Sequence, residues 1–64
     1  MKFKVGDIIV NKHTGDSVKV IKYEPEWAIP VYEVKDINSG RIDRFNQRYV
    51  KHWDLVVTKG GEDE

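Results

Sequence analysis

Histidine, serine and clustered carboxylates are the residues of this chain whose types could drive a reaction, and their placement argues against one. His13 lies in the polar run Lys12-His13-Thr14-Gly15-Asp16 and His52 stands beside Trp53, while the chain has no cysteine to act as a nucleophile. Ser17 and Ser39 border turns and sit in no nucleophile elbow. Glu24 and Glu26 bracket Pro25 in a segment that reads as an exposed loop, where nothing raises a carboxyl pKa for general-acid work. Gly60-Gly61 has no strand before it and no helix after it, so it is no phosphate cradle. A metal held by His13 and His52 would need carboxylates to complete a tetrahedron, and these show no ligand spacing. The expectation is a protein that is not an enzyme, with no cofactor, no metal and no small-molecule substrate.

Binding chemistry is better represented. Seven aromatic residues, Phe3, Tyr23, Trp27, Tyr32, Phe45, Tyr49 and Trp53, are too many for so short a chain to enclose, so some must lie at the surface. Trp27 sits between Pro25 and Pro30, off any alternating face, and Trp and Tyr dominate interaction hot spots. Trp27, Tyr23, Ile29, Tyr49 and Trp53 are therefore the candidate surface for a protein partner. The competing reading has Trp27 folding back with Ile29 to cap one end of the core. A second surface would use Arg41, Arg44, Arg48 and Lys51, interleaved with Phe45, Tyr49, His52 and Trp53. Guanidinium groups fork onto phosphates and rings stack on bases, which suits a nucleic acid. Arg41 and Arg44 differ in strand parity, so only a bend after Phe45 would gather Arg44, Arg48 and Lys51. The alternative is a solvated face with ion pairs to Asp43, Asp36 or Asp54.

The elements that must position these residues are strands. Apolar residues recur with period two or in β-branched clusters. The pattern predicts strands over Asp7 to Asn11, Ser17 to Tyr23, Val31 to Asp36, Arg41 to Asn46 and Asp54 to Thr58. Gly15 and Asn38-Ser39-Gly40 supply turns. Two prolines five residues apart make Glu24 to Pro30 a loop, and Gln47 to Trp53 reads as a short helical turn that brings Tyr49 and Val50 inward. On the second strand Val18 and Val20 share a face, and on the third Tyr32 and Val34 do. An open sheet of this size would expose one apolar face and two edges, so the sheet is expected to close into a barrel. Val5, Ile8, Val10, Val18, Val20, Tyr32, Val34, Ile42 and Leu55 would fill it, with Val57 nearby.

Composition bounds the rest. With 64 residues, 39% of them hydrophobic and 34% charged, the chain suits one small folded domain. Its 11 basic and 11 acidic residues cancel, and without Glu62, Asp63 and Glu64 the basic surplus is modest. The expected organisation is one domain over 1–58 and an unstructured acidic tail over 59–64. No apolar run reaches membrane-helix length and the start lacks a signal-peptide core, so no membrane partner and a cytoplasmic location are expected. Self-association through an exposed edge strand stays open.

Val5-Gly6-Asp7 followed by Ile8 and Val10, then Gly15 and Val18-Lys19-Val20, is similar to the opening of SH3-like barrels, including KOW and Tudor-type modules. The turn over Asn46 to Trp53 sits where such barrels place a short helical turn. The overall plan, ending in Lys51-His52-Trp53-Asp54-Leu55-Val56, also resembles short bacteriophage-encoded proteins. The resemblance implies an all-β, five-stranded antiparallel SH3-like barrel with one short helical turn before the last strand. It implies a protein-interaction module that modulates a host or phage protein, or else a nucleic-acid-binding barrel.

Overall fold

The computed structural model describes residues 3–57, Val57 by its backbone alone. The expectations for Thr58, for the Val57 side chain and for the 59–64 tail lie outside the described residues. Strands form where β-branched and aromatic residues alternate: β1 Ile8–Asn11, β2 Ser17–Glu24, β3 Val31–Asp36, β4 Ile42–Asn46 and β5 Trp53–Val57, with a 3-10 helix over Gln47–His52 before the last. They form one antiparallel sheet in the order β4-β3-β2-β1-β5. Its edges, β4 and β5, meet where Phe45 stacks on Trp53, with ring centroids 5.1 Å apart and planes 10° off parallel, so the sheet curls back on itself. The expected all-β plan of five antiparallel strands with a helical turn before the last is what the chain adopts. Among the described residues no helix is long and apolar enough to cross a membrane.

The interior holds Phe3, Ile9, Val18, Val20, Tyr32 and Val34, with Tyr23, Phe45, Val50 and Trp53 packed against it. Val18, Val20, Tyr32 and Val34 take the expected inward face. Val5, Ile42 and Leu55 do not, being about half exposed, and Ile8 and Val10 are only partly buried. Register explains most of the difference. Directly opposed residues share a face of the sheet, and Ile9, not Ile8 or Val10, lies opposite Val18. On β4, Phe45 lies opposite buried Tyr32, which turns Ile42 outward opposite Lys35. Register does not account for Leu55, which lies opposite buried Ile9 on the edge strand β5 and is nevertheless 46% exposed. Phe3 takes the place expected of Val5. Its ring meets Tyr32 edge-on at 6.0 Å, and its N–H donates to the Tyr32 hydroxyl at 3.4 Å. A bulge between Val20 and Lys22 then shifts the parity of β2, so that Tyr23 follows Val20 on the inner side.

The Gly6-Asp7 step works through its backbone. Gly6, at φ 100°, donates to the Val20 carbonyl at 2.7 Å, and Val20 donates back to the Asp7 carbonyl at 2.9 Å. The buried Asp7 carboxylate accepts the Lys4 N–H at 2.8 Å.

Two turns at the same end of the sheet are built alike. In Asn11-Lys12-His13-Thr14-Gly15-Asp16, Asn11 Oδ1 accepts the N–H groups of His13 and Thr14 at 2.8 and 3.0 Å. Gly15 then donates to the Asn11 carbonyl at 2.9 Å, and Asp16 donates to Thr14 Oγ1 at 3.2 Å. In Asp36-Ile37-Asn38-Ser39-Gly40-Arg41, Asp36 Oδ1 accepts from Asn38 and Ser39 at 2.8 and 2.9 Å. Gly40 donates to the Asp36 carbonyl at 2.9 Å, and Arg41 donates to Ser39 Oγ at 3.2 Å. Both glycines have positive φ, 80° and 77°. The same bonds thus recur in a shared pattern of Asn or Asp, two free positions, Thr or Ser, then Gly.

The two caps differ in one respect, because Asp36 titrates and Asn11 does not. The N–H groups of Ser39 and Asn38 hold the Asp36 carboxyl below its ordinary 3.8. A lowered folded pKa means the contribution is present above the ordinary value and is lost as pH falls through the lowered one. Asp36→Asn is expected to fold with the turn intact at neutral pH, as Asn11 does in the twin turn. Below pH 3.8 the variant should lose less stability than the parent, read by urea unfolding at neutral and acid pH. An identical acid loss in the two proteins counts against the assignment.

Candidate binding surface

The loop between β2 and β3 is held at both ends, and Glu24, expected to open it as an exposed residue, is instead the buried last residue of β2. At its start Trp27 Nε1 donates to Glu24 Oε1 at 2.9 Å, and Lys22 Nζ reaches Glu24 Oε2 at 3.2 Å. At its end the Pro30 carbonyl accepts the Gln47 N–H at 2.8 Å, which ties the loop to the 3-10 helix. Glu24 is only 6% exposed, yet its carboxylate lies just beneath the surface. The indole hydrogen bond first, then Lys22, holds its carboxyl below the usual range and outweighs burial, which acts the other way. The indole N–H is thereby satisfied while the ring stays outside: Trp27 is 55% exposed. It does not cap the core.

The 3-10 helix decides which of its side chains join that surface. With three residues per turn, side chains three apart eclipse one another. Val50 and Trp53 pack inward, and Tyr49 and His52 share the outer side, their rings stacked at 6.0 Å. Asn46 Oδ1 caps the helix by accepting the Arg48 N–H at 2.9 Å. The expectation for Val50 therefore holds, but Tyr49 points outward and is 51% exposed.

Trp27 and Tyr49 line one open groove of about 420 Å³ with Val31, Phe45, Asn46 and Arg44. A neighbouring apolar hollow of about 340 Å³ shares Phe45 and Tyr49 and adds Trp53, His52, His13 and the turn residues Asn11 and Thr14. Of the five residues expected to meet a protein partner, the fold thus brings three to this surface. Tyr23 and Ile29 line neither hollow. Tyr23 is half-buried, its ring 5.0 Å from Tyr32 and its hydroxyl donating to Gln47 Oε1 at 3.3 Å. Phe45, Val31 and Asn46 were missed. Phe45 had a signal in the basic-aromatic run, whereas Val31 and Asn46 look like ordinary strand residues.

The basic residues are dispersed in role. Arg44 Nε lies 3.4 Å from Glu33 Oε1, its cross-strand partner, in an exposed pair of little energetic weight. Arg41 precedes β4, so strand parity does not govern it, and with Arg44 it borders a hollow of about 330 Å³ that also contains Asp16, Asp36 and Asp43. Arg48 and Lys51 are exposed on the 3-10 helix and make no ion pair among the described residues. Among the described residues the ion pairs are Arg44 with Glu33, Lys22 with Glu24, and Lys12 with Asp54 at 3.6 Å, and none joins Arg41, Arg44, Arg48 or Lys51 to Asp43, Asp36 or Asp54. His13 and His52, 39 positions apart, face one another with Nε2 and Nδ1 separated by 3.0 Å. No family model, curated protein or solved structure matches the chain.

Proposed function

We propose that this protein is a non-catalytic SH3-like interaction module that takes an extended segment of a protein partner, of a host or a phage, along the surface from Trp27 to Trp53. One observation carries the reading: two large aromatic side chains, Trp27 and Tyr49, are each more than half exposed and line one groove. A domain of this size gains from burying such rings, and exposed aromatics grouped on one surface are typical of binding sites. The groove is fixed before any partner arrives, because Glu24 orients Trp27 and the Asn46 cap orients the helix that carries Tyr49. Extended and proline-rich segments dock into aromatic grooves of this kind because little ordering entropy remains to be lost.

The test is binding of an array of extended and proline-rich peptides to the parent, Trp27→Ala and Tyr49→Ala, with circular dichroism confirming the fold. Each substitution is expected to weaken a bound peptide by at least about tenfold, the lower range for an aromatic hot spot. Unchanged binding by both folded variants sinks the reading. The nucleic-acid alternative, through Arg41, Arg44, Arg48 and Lys51, has less behind it, since Arg44 is engaged by Glu33 and Asp43 sits between Arg41 and Arg44. Oligonucleotide affinity that falls steeply with salt would revive it.

A further inference from the structure

We propose that His13 and His52 form a two-imidazole chelate for a late first-row transition-metal ion, Zn²⁺ or Cu²⁺, between the β1–β2 turn and the 3-10 helix. Two ring nitrogens, His13 Nε2 and His52 Nδ1, lie 3.0 Å apart. An ion with tetrahedral geometry and metal–nitrogen bonds of 2.0–2.1 Å needs its two nitrogens about 3.3 Å apart. The pair is thus within a few tenths of an ångström of chelating distance, and a small rotation of the exposed His13 ring turns its lone pair from the His52 nitrogen toward a shared ion.

The backbone holds both residues there. The His13 N–H donates to Asn11 Oδ1 at 2.8 Å, fixing the turn, and the Lys12 N–H donates to the His52 carbonyl at 2.8 Å, fixing the turn against the helix. Tyr49 stacks on the His52 ring and limits its rotation. Such preorganisation removes much of the ordering cost that an exposed chelate otherwise bears. A hydrogen bond between two solvent-facing imidazoles contributes little by itself, so a metal displaces a weak interaction.

Chemistry selects the ion. In the neutral pair one facing nitrogen carries a proton and the other a lone pair. Metal binding needs lone pairs on both, so the donating ring moves its proton to its outer nitrogen, with no net proton released. Imidazole favours copper, zinc and nickel, whereas magnesium and calcium prefer oxygen ligands. Among the described residues no third His, Asp or Glu converges on the pair, so water fills the remaining positions and the site is exchangeable rather than structural.

The experiment titrates the parent, His13→Gln and His52→Gln with ZnCl₂ and, separately, with MgCl₂. Calorimetry reads the affinity and nitrogen-15 NMR reads the imidazole nitrogens. Zinc is expected to bind with one-to-one stoichiometry and to shift His13 Nε2 and His52 Nδ1 together, and magnesium to do neither. Loss of an outer-shell partner already costs about 10- to 100-fold in metal affinity, so loss of either ligand should cost at least about tenfold. Zinc affinity unchanged in His13→Gln, or equal binding of magnesium, overturns the assignment. His13 lies in an exposed turn, so this variant decides the question even if His52→Gln fails to fold.

Discussion

Tyr32→Ala is expected to remove a large part of the chain's stability. Tyr32 is fully buried and touches three other rings: Phe3 at 6.0 Å, Tyr23 at 5.0 Å and Phe45 at 5.4 Å. Through them it joins the N-terminal segment, β2 and β4. Truncating a buried aromatic to alanine costs about 3–5 kcal/mol. At about 0.05–0.15 kcal/mol per residue, a domain of this length has only about 3–10 kcal/mol in all. Tyr32→Phe keeps the ring and loses the hydroxyl that accepts the Phe3 N–H at 3.4 Å, for an expected cost of about 1 kcal/mol. Urea unfolding followed by far-ultraviolet circular dichroism separates the two. A Tyr32→Ala protein as stable as Tyr32→Phe would show that the rings do not carry the core.

Gly15→Ala and Gly40→Ala are expected to destabilise by similar amounts, about 1–2 kcal/mol each, the cost of placing an L side chain at positive φ. Space is not the issue. A Cβ on Gly15 meets nothing within 4 Å, and one on Gly40 meets only Lys35 Cε at 3.8 Å. The cost is conformational, and the shared hydrogen-bond pattern makes the two sites duplicates of one experiment. D-alanine, whose preferred φ is positive, should restore stability at either site in a synthetic chain. If D-alanine destabilises as much as L-alanine, contact rather than backbone conformation governs the turns.

The strands were legible because their boundaries coincide with strong punctuation. Gly15, the two prolines and Asn38-Ser39-Gly40 separate runs that alternate cleanly, and β3 begins and ends where the pattern places it. Face assignment succeeded where a polar residue marks the outer side, as Lys19 does between Val18 and Val20. It failed on β1, where Ile8, Ile9 and Val10 offer no such marker and only pairing with Val18 selects Ile9. It failed on β4 because Ile42 and Phe45 have opposite parity and the larger ring wins the interior. The candidate surface was partly legible for a similar reason. Trp27 announces itself by its proline-flanked loop, but a three-residue period over Gln47–His52 cannot be told from sequence spacing that also fits a strand or an α-turn. The histidine pair was not legible, since 39 positions separate residues that only the fold brings together.

The two tryptophans occupy contrasting surroundings, one ring in solvent beside Glu24 and the other stacked on Phe45. Their emission therefore divides by wavelength. The red side of the fluorescence spectrum belongs to Trp27 and follows the loop end of the surface, while the blue side belongs to Trp53 and follows both the meeting of the two sheet edges and the far end of a bound segment. A single unlabelled sample thus carries two optical reporters, one at each end of the proposed surface, and Trp27→Phe isolates the second.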